Sequence, residues 1–266
     1  MGNVESVAAI SVDGVSVGHG GLPLLSGVTF SVAAGEILAI VGKSGCGKST
    51  LLRVLVGLDR PMAGAVRVCG MNPAEMLRMG GAMAAKTYGV LFQDCALWTS
   101  MTLLENVLLP LRNYSRNGEE EIRNLAKFKL ALVGLEGFEN AYPHEISGGM
   151  AKRAAIARAM ALDPPILIFD EPSAGLDPCT AKQIDKLILQ IRSICGTAIV
   201  LISHELGSIG RLSDRVAFMD VETKSMRPIA KLEEMMVTAA ADSALRDFFG
   251  DRPTRQAALE GFGHET

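Results

Sequence analysis

Two stretches of this chain are continuously apolar, Ile166-Leu167-Ile168-Phe169 and Ala198-Ile199-Val200-Leu201-Ile202. Runs this short and this rich in branched residues predict parallel strands covered on both faces. A third apolar run, Ile37-Leu38-Ala39-Ile40-Val41, precedes a Gly-rich segment and then a helical pattern over residues 50–56. Residues 7–17 are rich in Val and Ile, and Val28-Thr29-Phe30-Ser31-Val32 alternates apolar and polar positions, so the opening of the chain reads as β. Gly-rich turns fall at residues 18–21 and 34–35. Residues 59–64 mark another turn, and residues 65–69 and 88–92 predict two more strands. From about residue 97 to 162 the pattern becomes helical with polar interruptions, of which residues 113–121 read as a solvated loop or helix entry. A helix over residues 151–162 stops before Pro164-Pro165, and another, over 179–194, lies between the two continuous apolar runs. The pattern predicts an α/β sheet interrupted by a mostly helical insertion, without internal repeats.

The ends of the three apolar runs carry the chemistry. One leads into Gly42, one into Asp170-Glu171 and one into Ser203-His204. In open α/β sheets ligands sit at the carboxyl ends of the strands, so three polar ends converge on one site. Gly42-Lys43-Ser44-Gly45-Cys46-Gly47-Lys48-Ser49 matches G-x-x-x-x-G-K-[ST] at every fixed position, in the strand–loop–helix context that the motif requires. Glycines let the backbone turn tightly so that its N–H groups face an anion. Lys48 reaches toward β- and γ-phosphates, and Ser49, followed by Thr50, offers a hydroxyl to Mg²⁺. The plain alternative is a Gly-rich turn that binds nothing.

Asp170 and Glu171 suit two different tasks. The first carboxylate would hold Mg²⁺ and the second would take a proton from an attacking water. Ser147-Gly148-Gly149-Met150 opens the helix over 151–162, and a helix start with a hydroxyl and free N–H groups is an anion site. Service as an N-cap alone is the commoner use of Ser.

Composition narrows the reading. The 266 residues carry a net charge of −3, with 48% hydrophobic and 21% charged residues, which fits a globular chain rather than a nucleic-acid binder with a basic face. No apolar run approaches the roughly 18 residues of a membrane span. Residues 1–6 lack the basic start and apolar core of a signal peptide, and Gly2 with Ser6 matches the loose myristoylation pattern only by chance. Cys46, Cys69, Cys95, Cys179 and Cys195 are dispersed and odd in number, which argues against a disulfide framework or a zinc site and for reduced thiols in the cytosol.

Taken together, these motifs resemble the ABC-type ATPases, the nucleotide-binding subunits of ABC transporters. Gln93, in Val90-Leu91-Phe92-Gln93-Asp94, resembles the family's Q-loop. Ser147-Gly148-Gly149-Met150-Ala151 resembles its signature motif, Asp170-Glu171-Pro172 with residues 173–177 its Walker B and D-loop segment ending at Asp177, and His204 its switch histidine. The resemblance implies a P-loop NTPase (RecA-like) core over residues 8–220, with an N-terminal antiparallel β subdomain and an α-helical subdomain inserted at about 96–162. Residues 221–266 form a tail for a partner or dimer contact, or a frayed end. It further implies a homodimer closing head-to-tail on two ATP molecules. Each ATP would lie between Lys48 and Ser49 of one subunit and Ser147, Gly148 and Gly149 of the other. Glu171 would polarise water, His204 would contact the γ-phosphate, and Gln93, with Ser49 and Asp170, would attend Mg²⁺. A separate membrane permease would be the partner, at the cytoplasmic face of the inner membrane.

Two departures are informative. His19 stands where the family usually stacks an aromatic residue on adenine, and Met150 stands where most members carry Gln. Met150 and the residues after it, with stretches 91–97, 105–111 and 242–250, resemble the ATPase of Mla/Mce-type lipid transporters. That implies transport of phospholipid or another hydrophobic molecule, with Mce- or STAS-type partners. The alternatives are a motor for an amino acid, metal chelate or lipoprotein, and a soluble ABC ATPase of translation or repair, whose second cassette or coiled-coil insertion is missing here. Leu97, Leu103, Leu104 and Val107 read mainly as core, whereas Trp98 and Met101 are candidates for a groove that receives a permease helix.

Overall fold

The computed structural model describes residues 8–239 and 242–249. A hairpin of β1 (Ile10–His19) and β2 (Leu22–Val32) turns at Gly20 and Gly21, whose φ values of 59° and 81° suit glycine. β3 (Ile37–Gly42) leads through the Gly-rich loop into α1 (Lys48–Leu55), and β4 (Ala63–Val68) returns beside β1. Two short helices, α2 (Pro73–Arg78) and α3 (Ala82–Thr87), lead to β5 (Tyr88–Leu91). α4 (Leu103–Tyr114), α5 (Glu119–Leu132) and α6 (Gly148–Ala159) intervene before the chain rejoins the sheet at β6 (Ile166–Asp170). α7 (Pro178–Cys195), β7 (Ala198–Ile202), α8 (Leu206–Leu212) and β8 (Arg215–Asp220) continue the alternation. β9 (Ser225–Met226), α9 (Leu232–Thr238) and α10 (Ser243–Phe249) close the described chain.

The strands form two sheets. An antiparallel one has the order β2-β1-β4, and a six-stranded one has the order β5-β6-β7-β3-β8-β9, parallel except for β9. Alternate residues of the larger sheet feed two cores, as strands covered on both faces must. Leu38, Ile40, Ile168, Val200 and Met219 join the antiparallel sheet and α1 in one core. Ala39, Val41, Phe169, Leu201 and Phe218 join the helices of the opposite face in the other. The expected α/β arrangement, with an antiparallel β portion and a helical portion, is therefore present.

Local differences have local causes. The first strand starts at Ile10 and runs on to His19, and the second begins at Leu22, because register shifts keep the hairpin paired to its tip. α2 and α3 lie between two predicted strands where the pattern predicts no helix, and Asn72 caps α2 through the Ala74 amide with Pro73 in its first turn. The polar stretch over 113–121 is mostly helix. Only residues 115–118 are loop, and Glu119, Glu120 and Glu121 lie in the first turn of α5, where acidic side chains meet the positive end of the dipole. The described part of the tail packs on the chain's own core. Phe248 meets Phe218 edge-on with centroids 5.4 Å apart, and Leu245 and Phe249 are buried. The rest of the tail, residues 250–266, lies outside the described residues. Among the described residues no helix is long and apolar enough to cross a membrane.

Candidate functional site

β6, β7 and β3 are neighbours in the sheet, so Asp170, the Ser203-His204 segment and the Gly42–Ser49 loop leave adjacent strand ends. Gly42 has φ 152°, and a Cβ there would lie 2.5 Å from the Met219 carbonyl oxygen and 2.8 Å from Cys46 Sγ. Only glycine fits. Gly45 and Gly47 also take positive φ, and Gly47 caps α1. Lys48, the first residue of that helix, folds its ammonium back along the loop and donates to the Gly42 carbonyl at 2.6 Å and the Lys43 carbonyl at 3.1 Å. Lys43, Ser44, Gly45 and Ser49 are exposed. The hairpin tip brings His19 to this loop, with Nε2 3.4 Å from Thr50 Oγ1. His19, Thr50, Arg53 and Asp59 line an open cleft of about 510 Å³. Lys43 is also paired with Asp247 of α10 at 3.1 Å, so the end of the described chain reaches the phosphate-binding loop.

At the end of β6 the carboxyl of Asp170 is pushed above its ordinary range, first by burial and then by the charge of Glu171, against the opposing pull of Lys48 and Lys152. Glu171 is a non-glycine residue at φ 52°, an uncommon conformation at a strand end. Its Oε1 lies 2.7 Å from His204 Nδ1, while its Oε2 is buried without a hydrogen-bond partner. The Glu171 carboxylate is largely buried, whereas the His204 ring is 64% exposed. Beyond them Ser173 donates to Glu205 at 3.0 Å, and Ser208 donates to Asp185 at 3.0 Å, which ties the segment after Glu171 to the one after His204.

The remaining expected residues have local partners as well. Ser147 is the N-cap of α6 and its Oγ accepts from the Met150 amide at 3.3 Å. A Cβ on Gly149 would lie 2.5 Å from Thr180 Cγ2, so this glycine serves the packing of α6 on α7. Gly148 has only ordinary room toward Leu176. Asp177 is the N-cap of α7, accepting from the Cys179 and Thr180 amides and from the Thr180 hydroxyl, which together hold its carboxyl below the usual range. Gln93 is exposed. Two residues escaped the sequence reading. Lys152 of α6 is buried and donates to the carbonyls of Gln93 and Glu171. Asn106 of α4 is fully buried, and its side-chain amide accepts from the Trp98 amide and donates to the carbonyls of Trp98, Met101 and Thr102. Neither is distinguishable from an ordinary polar helix residue until the fold is known.

The ABC transporter family model matches residues 25–174. This chain belongs to the ABC transporter family, as an ATP-binding cassette. The cassette is similar to the probable ribonucleotide transport ATP-binding protein mkl of Mycobacterium bovis, at 39% identity over 79% of this chain and 59% of the relative. The methionine import ATP-binding protein MetN of Caulobacter vibrioides is 39% identical over 86% of this chain and 68% of the relative. The chain thus spans less than two thirds of the mkl length. A dimeric, post-hydrolysis structure of the ATP-binding cassette MJ0796 bound to ADP and Pi superposes with a TM-score of 0.75. It is 30% identical over 84% of this chain and 98% of that one.

Proposed function

We propose that this cassette binds and hydrolyses ATP as a homodimer on the cytoplasmic side of a separate membrane permease, and so powers transport of phospholipid or another hydrophobic molecule. The observation that carries the hydrolytic reading is the convergence of Lys48, Asp170, Glu171 and His204 at adjacent strand ends. Lys48 would leave the loop carbonyls for the nucleotide phosphates. Glu171 would orient and deprotonate water, with its unpartnered buried Oε2 free to accept the proton. His204, mostly exposed, would steady Glu171 and reach the γ-phosphate. His19 would lie under the base, and Ser147, Gly148 and Gly149 would close over the nucleotide of a second copy; the dimeric MJ0796 cassette bound to ADP and Pi supports the pairing of two copies.

Magnesium fits the donors available. Ser49 offers a hydroxyl, Asp170 a half-buried carboxylate, and Gln93 a side-chain amide, all hard oxygen ligands. Among the described residues no group of three or more His, Cys, Asp or Glu could hold a metal alone, so the ion would arrive with the phosphates. When bound it would supply charge neutralisation at the phosphates.

Trp98 is 58% exposed on the loop after Gln93. With Met101 it would meet a permease helix at that loop. Lipid cargo is supported by Met150 and the residues after it, with stretches 91–97, 105–111 and 242–250. An amino acid cargo is supported by the MetN relative. Purification of the tagged protein from gently solubilised membranes, with mass spectrometry of proteins and lipids, tests the reading. Co-purification of a permease with an Mce-domain or STAS-type protein and phospholipid is expected. A different permease with a soluble binding protein would replace the cargo and keep the motor.

A further inference from the structure

Lys152 is only 5% exposed, and no carboxylate oxygen among the described residues lies within 4.0 Å of its ammonium. Its charge acts on the Asp170 carboxyl without contact, and burying an ammonium that makes no ion pair costs several kcal/mol, which an apolar side chain filling the same space would not incur. Its hydrogen-bond partners are two main-chain carbonyls from different elements, that of Gln93 after β5 and that of Glu171 after β6, the latter at 3.1 Å. Glu171 is held at its other end too, where its N–H donates to the Ile202 carbonyl of β7 at 2.8 Å. A strained backbone such as φ 52° at Glu171 persists only where its surroundings over-determine it. Lys152 supplies one of the two tethers.

We propose that Lys152 is the positioning residue for Glu171, fixing the peptide that aims its carboxylate and linking that peptide to the loop of Gln93. Lys152 stands three residues after Gly149 on α6, so a single ammonium joins the helix of the signature segment, the Gln93 loop and the strand end that bears the proposed base. Displacement of the Gln93 loop would then reach Glu171 through one side chain. This inference rests on the reading of Glu171 as the base.

The test compares steady-state ATP hydrolysis by the full chain for wild type, Lys152→Met, Lys152→Gln, Lys152→Arg, Glu171→Gln and the Lys152→Met/Glu171→Gln double variant. Misplacing a reacting group by about an ångström costs roughly 10²-fold, so Lys152→Met is expected to lower kcat by about that factor with KM for ATP nearly unchanged. Lys152→Arg should recover part of the loss, because its guanidinium still donates to carbonyls. Lys152→Gln, which keeps one donor group and is less disruptive to bury, should fall between. In the Glu171→Gln background Lys152→Met should add nothing, since it acts through the residue already removed. Normal kcat in both Lys152→Met and Lys152→Gln beside an inactive Glu171→Gln would overturn the positioning role alone. So would a rise in KM with kcat intact, or full additivity in the double variant. Normal turnover by Glu171→Gln would overturn the base assignment and the positioning role together.

Discussion

The Nδ1 atom of His204 lies 2.7 Å from Oε1 of Glu171, although the two residues follow different strands and one is mostly exposed while the other is mostly buried. The contact leaves Oε2 of Glu171 as the buried acceptor without a partner. An unpaired buried carboxylate oxygen is costly, and such groups concentrate where they are used. Replacement of Glu171 by Gln is therefore expected to slow ATP hydrolysis by about the 10²–10⁴-fold that accompanies loss of a general base, with ATP still bound and a dimer trapped. Turnover and size-exclusion chromatography with ATP check both halves, and near-normal turnover would remove Glu171 from the role.

Asn106 makes a different kind of contact, structural rather than chemical. With its side chain inaccessible, it closes the 98–102 loop through one accepted and three donated hydrogen bonds. Truncation to Ala would take this partner from the Trp98 N–H and the Met101 carbonyl and leave a cavity. The expected loss is on the order of 3 kcal/mol of unfolding free energy. A urea titration that shows less than about 1 kcal/mol would mean that water replaces the amide.

How much of this could be read beforehand depends on whether the signal is local. The Gly42–Ser49 loop, the carboxylates at the end of β6 and the histidine after β7 are each announced by a few neighbouring residues. The rule that ligands gather at strand ends then joins them without any knowledge of the packing. Lys152 carries no such announcement, because a lysine in a helix is ordinarily solvated, and only the fold brings the Gln93 and Glu171 carbonyls to it. Asn106 is hidden for the same reason. Ser147 and Asp177 show the reverse case, since both were singled out for a nucleotide and both are also occupied as helix caps. The folded-back end of the chain was half legible. Leu245, Phe248 and Phe249 share one helical face, yet nothing nearby in sequence marks Phe218 as the surface they cover.

The exposed indole of Trp98 has its backbone fixed by Asn106 and its ring left free. That separation makes the side chain expendable for folding. Trp98→Glu is expected to leave ATP binding by the isolated chain intact and to abolish co-purification with the membrane partner, as read by nucleotide titration and by pull-down from membranes. Loss of ATP binding in the same variant would assign the indole to folding instead.

Tyr88 offers a prediction in pH. Its hydroxyl donates to the Val56 carbonyl at 2.8 Å, and burial pushes the phenol up from 10.0 to about 12. The folded chain therefore holds this proton more tightly than the unfolded chain does. Below about pH 10 both states are protonated and the contribution of Tyr88 is complete. As the pH rises from about 10 toward 12 the unfolded chain ionises first, and stability is lost through that window. Tyr88→Phe should cost about 1 kcal/mol at pH 8, where the hydrogen bond is intact. Its deficit should shrink and then reverse as the pH climbs, because phenylalanine has no proton to lose. Urea unfolding of both proteins between pH 8 and 11.5 reads the difference directly, and a deficit that stays constant across that range would show that the Tyr88 hydroxyl ionises as freely in the fold as in water.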